Sequence, residues 1–444
     1  MNGARMPAAA VFALLACLSG QALAGSGPAP APAPGLPPAA DSLARFLDAL
    51  GAASDSSFSS ETLAPASLEG VDIDSIVAVY RATGLSPAEK AKRSRGSIRP
   101  GLRAIRYDRV EGLHAMGNLA IRPPGTQGLR VDAGIGYATA SEETTWRGAA
   151  EQTVRLGERS RLDLDAVAKH DLRSYGSGGV PLAAAMALLY GLDEEDYFLA
   201  TGVWTGFGLS NERRWGSVHY RYEEQESAAN ETRFSLFRGN HGFRPNPPID
   251  DVTVRSIEMA IGMNQIAGPQ SFVRIEAAIA GRGLGGDADY RSLRADLRLA
   301  RTVVAGDEVV VRVAAGGVDP SAPYQALHHL GGYALLRAYE VNEFHTRRFV
   351  HFGFDDLLGT DLFRPIPLLG RLKIQLAPFF DAAAFEEAAP GESNEAVWRF
   401  STGLGLQKNL LQLPGGGGQL RLEIGRRLDR SEDAMRYRFT VTGF

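Results

Sequence analysis

The residues best suited to moving protons or holding a metal are eight histidines: His114, His170, His219, His241, His328, His329, His345 and His351. The pair His328-His329, near Asp319, is the most suggestive, because a carboxylate can orient an imidazole for general base work. The surrounding pattern does not favour catalysis. No Gly-x-Ser-x-Gly elbow presents a nucleophile, no His-x-x-x-His pair occurs, and Cys17 is the only cysteine. Gly415–Gly418 is a glycine run in a turn, with no helix after it to bind phosphate at its N-terminus. A non-enzymatic protein with no metal and no cofactor is expected. A second pair points to binding. Asp381 continues a strand in which Leu372, Ile374 and Leu376 alternate with polar residues. Counting by twos puts Pro378 and Phe380 on the apolar face, and Phe379 and Asp381 on the other. Arg337 lies in a long connection. A guanidinium can grip a carboxylate through two parallel hydrogen bonds, so an inward Asp381 is a fitting partner. The alternative is two unrelated solvated charges.

The elements that would position these residues are alternating strands. Leu420, Leu422 and Ile424 alternate with Arg421, Glu423 and Gly425, and Leu293, Ala295, Leu297 and Leu299 with Arg294, Asp296, Arg298 and Ala300. Such segments fall near 102–109, 113–121, 129–139, 144–156, 159–172, 198–210, 215–226, 254–265, 270–281, 290–304, 307–318, 347–357, 371–385, 396–408, 418–428 and 434–444. About ten residues is the length a tilted strand needs to cross a bilayer, with an apolar face to lipid and a charged face to a wet lumen. The connections alternate between short ones, such as Ser210–Trp215, and long ones, such as Asp171–Tyr197 and Pro320–Thr346. This is the asymmetry of an outer-membrane barrel, and it puts both termini in the periplasm. The fold class expected is therefore all-β: a transmembrane antiparallel β-barrel of about sixteen strands over 101–444. Pro181–Tyr190 reads as a helix closed by Gly191, in an outer loop where it caps or plugs the mouth.

The start of the chain is different. Met1–Ala24 reads as a signal peptide, with Arg5 before an apolar core and Ala22-Leu23-Ala24 as the cleavage site. Leu14-Leu15-Ala16-Cys17 also fits a lipoprotein box, in which Cys17 would be acylated. Residues 25–40 are a Pro/Ala-rich linker. Residues 41–100 form a short periplasmic extension with helical segments at Asp41–Leu50 and Ile73–Thr83. Across the chain, 47 basic residues meet 51 acidic ones, for a net charge of −4. That balance argues against a nucleic-acid partner. No run of 18 apolar residues follows the N-terminus, so a helical membrane protein is not expected.

The C-terminal part resembles the bacterial surface antigen superfamily, the group of BamA, TamA and FhaC, over about 320–444. Three motifs carry the resemblance. Leu336-Arg337-Ala338-Tyr339 matches the Val/Ile-Arg-Gly-Phe/Tyr tetrapeptide of a long loop that folds into the lumen. Phe379-Phe380-Asp381-Ala382-Ala383 matches Phe-x-Asp-x-Gly on a following strand. Gly403-Leu404-Gly405-Leu406 matches a Gly-x-Gly-leucine strand. More weakly, Tyr107–Leu113 and Asp193–Tyr197 look like segments of related barrels. The resemblance implies a loop-lumen lock of Arg337, Tyr339, Phe379 and Asp381, a strand motif at Gly403 and Gly405, and a C-terminal assembly signal at Tyr437, Phe439 and Phe444. Ala338 stands where Gly is usual, so a tip needing φ > 0 there must differ. No βααββ pattern of the family's periplasmic POTRA domains is legible upstream. The implied setting is the outer membrane of a Gram-negative bacterium, with its lipids, and its assembly machinery during biogenesis, as partners. The implied role is insertion or translocation of a protein or lipid client, whose identity is not legible. Alternatives are a passive pore or structural surface protein, and an outer-membrane hydrolase.

Overall fold

The computed structural model describes residues 96–444 apart from 125, 127, 158, 177–182, 238–241, 305–306, 333–334, 360–373, 388–395, 414–415, 430–435 and 444. The expected signal peptide, linker and helical segments up to residue 95 lie outside the described residues. So do Pro181, His241, Leu372 and Phe444.

Alternation of apolar and polar residues, with few helix-forming runs, yields an almost wholly β structure. The strands are β1 Ser97–Asp108, β2 Gly112–Arg122, β3 Leu129–Ala138, β4 Thr144–Arg155, β5 Arg161–Tyr175, β6 Asp196–Ser210, β7 Arg214–Ser227, β8 Val252–Asn264 and β9 Phe272–Ala280. They continue as β10 Tyr290–Val304, β11 Asp307–Val318, β12 His328–Leu330, β13 Phe344–Leu357, β14 Gln375–Glu387, β15 Ala396–Leu413, β16 Gly416–Arg427 and β17 Arg436–Gly443. All seventeen belong to one sheet. Setting aside β12, which spans three residues, sixteen long strands remain, each antiparallel to the next, with β11 joined directly to β13. This is a sixteen-strand antiparallel barrel. Its sheet is not closed: among the described residues no ladder joins β1 to β17.

The two faces separate as the pattern requires. On β14, Ala377, Phe379, Asp381, Ala383 and Phe385 are buried inward. Outward, large apolar side chains stay uncovered, including Ile98 and Ile135 at 67% exposure, with Phe207, Trp398, Leu404, Leu406, Leu422 and Ile424. Apolar exposure on this scale suits a wall facing lipid. Leu422 and Ile424 pair in register with Phe439 and Tyr437 of β17. No described helix is long and apolar enough to cross a membrane.

One end of the barrel carries tight connections, such as 211–213 between β6 and β7. The other carries the long ones, 176–195, 228–251 and 319–343. The 358–374 connection is an exception, long yet at the tight end. Among the long loops lies helix α1, Ala183–Tyr190. Gly191 ends it at φ 65°, its N–H donating to Ala187 O at 2.9 Å, a conformation glycine adopts without Cβ strain. Ala187 and Leu188 pack on Tyr107 and Phe243. The N–H groups of Leu236 and Phe237 bond Leu188 O and Leu189 O, both at 2.8 Å. The helix is thus part of the loop layer over the mouth.

Candidate functional site: a loop held inside the barrel

The connection from β11 to β13 turns into the lumen. Gly331 and Gly332 start the turn at φ 106° and 101°. At Gly331 a Cβ would lie 2.1 Å from Glu340 O, so only glycine fits. Among the described residues the next left-handed one is Leu336, at φ 55°. Ala338 is not left-handed, so alanine fits there without strain. The segment is secured by apolar packing of Leu335, Leu336 and Tyr339 with Leu330, Phe349, Ala383 and Phe385.

Arg337 is 3% exposed. Its Nε and Nη2 donate to Asp381 Oδ2 and Oδ1 at 3.0 and 2.8 Å, and its backbone N–H to Oδ2 at 3.1 Å. Its Nη1 reaches Asp355 on β13 and lies 3.5 Å from Glu423 on β16. Arg421 donates to Asp355 at 2.6 Å and pairs with Glu423 at 2.7 Å, while Arg312 stands 3.3 Å from the other Asp355 oxygen. Ser401 donates to Asp381 Oδ2 at 3.2 Å. Three guanidinium groups thus face three carboxylates. Balance of this kind is needed where charges are withdrawn from water, since an unpaired buried charge is strongly unfavourable.

Phe379 lies beneath the Arg337 guanidinium, 4.0 Å from ring centroid to cation. The ring needs an empty place on the wall. Gly403 pairs with Phe379 on one side and Gly425 on the other. A Cβ on Gly403 would meet the Phe379 ring at 2.5 Å and Ile424 O at 2.2 Å. Gly405 is less tightly bound, its Cβ position 3.1 Å from Arg421 Nε. Tyr339 bonds Phe400 O at 3.2 Å and Asp429, under the Arg427 guanidinium at 4.5 Å.

The structure therefore brings Arg337, Tyr339, Phe379, Asp381 and Gly403 into one cluster, with Gly405 at its edge. Tyr437 and Phe439 are on β17, which pairs with β16. Sequence reasoning missed Asp355, Arg312, Arg421, Glu423 and Gly425. Each is an inward position of an alternating strand, which was the signal available, but alternation does not show which inward charges converge.

A second cluster joins the long loops. Arg109, in the β1–β2 turn, is fully buried. Its backbone N–H donates to Asp193 Oδ2 at 3.0 Å, Nη1 to Asp193 O at 2.7 Å, and Nη2 to Asp196 and Asn246 at 3.0 Å each. The segments Tyr107–Leu113 and Asp193–Tyr197 meet through these bonds. Burial pushes the Asp193 carboxyl up from its ordinary value, and Arg109 opposes that. Asn342, at the far end of the lumen loop, donates to Asp196 at 3.1 Å and to Tyr175 O at 3.2 Å, which ties the two clusters together.

The histidine pair is placed differently from the expectation of a loop. His328 and His329 form β12, paired with Phe344–Thr346 of β13. Such a short strand has no alternation of its own, and it forms because β13 offers a free backbone edge inside the wall. The Asp319 carboxylate accepts the Arg291 N–H at 3.0 Å, and His329 is enclosed by the rings of Tyr175, Tyr324 and His345.

No family model and no curated relative matches the sequence. Among solved structures, BamA from Haemophilus ducreyi lacking POTRA domains 1–3 is similar with a TM-score of 0.51 at 13% identity, covering 79% of this chain and 71% of that one. The fold is that of the BamA barrel. CdiB from Acinetobacter baumannii gives 0.39 at 13% identity, covering 78% of this chain and 58% of that one. Pseudomonas aeruginosa OccK10 (OpdN) gives 0.33 at 11% identity, covering 79% and 98%. The BamA-like barrel described here thus carries the inward loop together with an unpaired β1–β17 edge.

Proposed function

We propose that this protein is an outer-membrane barrel of the surface antigen type that assists the insertion or translocation of a protein or lipid client, without catalysis. The observation that carries the reading is the Arg337–Asp381 contact, which holds residues 335–343 inside a barrel of BamA fold. A passive pore keeps its lumen clear for solutes, whereas this lumen is crossed by a buried, charge-balanced loop. The β1 edge offers backbone groups with which a client strand can pair, a β-augmentation mode. In this reading outer-membrane lipids surround the wall, and the outer-membrane assembly machinery receives the chain through its last strand, with Tyr437, Phe439 and Phe444 as the signal.

The test is reconstitution of the full-length chain in lipid vesicles. The protein should raise the folding yield of an unfolded outer-membrane barrel added from outside, and should show little steady conductance in a planar bilayer. A large steady conductance with no effect on client folding would replace this reading with the passive pore.

A further inference from the structure

A third polar cluster lies under the β1–β2 turn, apart from the loop lock. Ligand atoms of Glu111, His114 and Asp171 all lie within 4.8 Å of one another. Glu111 is 1% exposed and His114 fully buried. Glu111 Oε1, His114 Nδ1 and the neighbouring Asp108 Oδ2 are buried with no hydrogen-bond partner. Buried polar atoms are almost always partnered, so orphaned atoms on two members of this group and on the adjacent Asp108 call for an explanation.

The other atoms of these groups are held in place. Arg106 Nε donates to Glu111 Oε2 at 2.9 Å, and Nη2 to Asp171 Oδ1 at 2.8 Å. Asp108 Oδ1 accepts the N–H groups of Val110 and Glu111 at 3.0 and 2.7 Å. His114 Nε2 bonds Thr145 Oγ1 at 2.7 Å. That bond crosses β3 at Gly136, where a Cβ would meet Thr145 Oγ1 at 2.5 Å and His114 Nε2 at 2.8 Å. With Nε2 engaged by Thr145, Nδ1 is the ring nitrogen left buried without a partner. A second partner that fixes the tautomer and ring angle is the usual support of a metal-binding histidine. Charge agrees as well. Asp108, Glu111 and Asp171 bring three carboxyl groups together, and Arg106 is the single cation within ion-pair distance of them among the described residues.

We propose that Glu111, His114 and Asp171 form a binding site for a divalent transition-metal ion, with Asp108 beside it as a further carboxylate. One imidazole with carboxylate oxygens suits Zn²⁺ and its neighbours better than Ca²⁺ or Mg²⁺, which prefer all-oxygen shells. The bound ion joins the first hairpin to β5 and takes over the balancing role that Arg106 holds alone. Glu111 and His114 are three residues apart, but Asp171 lies 57 residues beyond His114, so no local spacing announces the full set.

The test uses the full-length chain folded in detergent, with heat-modifiable gel migration to show that each variant is folded. Zn²⁺ alone is titrated by calorimetry. One ion per chain is expected. His114→Ala and Asp171→Asn should each weaken binding at least tenfold. Arg106→Ala, which removes the competing cation, should tighten it. His219→Ala, at the similar His219–Asp165 pair elsewhere on the wall, should leave it unchanged. X-ray absorption of the Zn²⁺-loaded chain should show a single imidazole ligand. Absence of saturable Zn²⁺ binding overturns the proposal. So does binding that survives His114→Ala, binding lost equally in His219→Ala, or binding weakened by Arg106→Ala.

Discussion

Arg337 is where one side chain does most to hold the lumen loop. Its removal leaves Asp381 with Ser401 and, at 3.7 Å, His351 as its polar side-chain neighbours among the described residues. Breaking a buried ion pair typically costs about 3–5 kcal/mol, and Asp355 is partly spared here because Arg421 and Arg312 remain. Arg337→Ala should therefore lower the urea midpoint and open a measurable conductance. Asp381→Ala added to it should change little, because the two act as one unit. Strict additivity in the double-mutant cycle would show that the residues act separately. The glycines give a sharper contrast. Gly403→Ala forces a Cβ against backbone oxygen and the Phe379 ring, and overpacking of this kind costs about 1–3 kcal/mol. Gly405→Ala meets Arg421 Nε at 3.1 Å and Ala377 O at 3.3 Å, tight contacts without overlap, so it should cost clearly less than Gly403→Ala in the same unfolding assay. Arg337 and Asp381 were legible in the sequence because alternation turned Asp381 inward and the motif order singled out Arg337. The reason for the glycines was not legible, since it depends on β14, β15 and β16 lying side by side.

At the scale of elements, β12 brings histidines into an apolar, aromatic setting. His329 is pushed down to about 3 by burial, with His345 and His328 adding repulsion. His328 is pushed down to about 4 by burial, with Arg294 beside it. An unfolded histidine takes its proton near pH 6.5. Below that value the unfolded segment binds more protons than the folded one, so stability falls with pH. The β12 segment should hold fully above about pH 6.5 and loosen toward pH 4. Hydrogen exchange at Leu330, corrected for intrinsic rate, should rise over that interval in the wild type and much less in His329→Phe. Exchange that is flat with pH would show that the pocket admits a charged ring. The long strands were legible because their period of two persists for ten residues or more. β12 was not, because three residues carry no period and its pairing edge is supplied from elsewhere. Helix α1 was legible from its apolar run and Gly191, but its seat on Tyr107 and Phe243 was not.

For the whole molecule, the exposed apolar wall makes a clear demand on location. Cell fractionation should recover the protein with outer-membrane markers, and it should migrate faster on gels when unboiled. Recovery in the soluble periplasmic fraction would exclude the membrane barrel. Deleting residues 25–40, a Pro/Ala-rich stretch, should leave barrel insertion unchanged, because a linker of that composition buries little surface. Failure of that variant to insert would give the segment a role in assembly. The number of strands and the alternation of tight and long connections were legible in the sequence. The meeting of Arg109 with Asp193 and Asp196 was not, because contacts 84 and 87 positions apart leave no mark on local pattern.

The lumen loop is fastened at two places on the wall. Arg337 grips β13 and β14, and Asn342 holds Asp196 and Tyr175, at the adjoining ends of β5 and β6. These pairs of strands are nearly half-way round the sheet from each other. A hollow cylinder of hydrogen-bonded strands resists stretching along its ladders but flattens easily across its width. The loop acts as a tie rod against that flattening. Cutting either anchor should therefore soften the cross-section as a whole, so that spin-label distances across the barrel broaden even between strands that touch neither Arg337 nor Asn342.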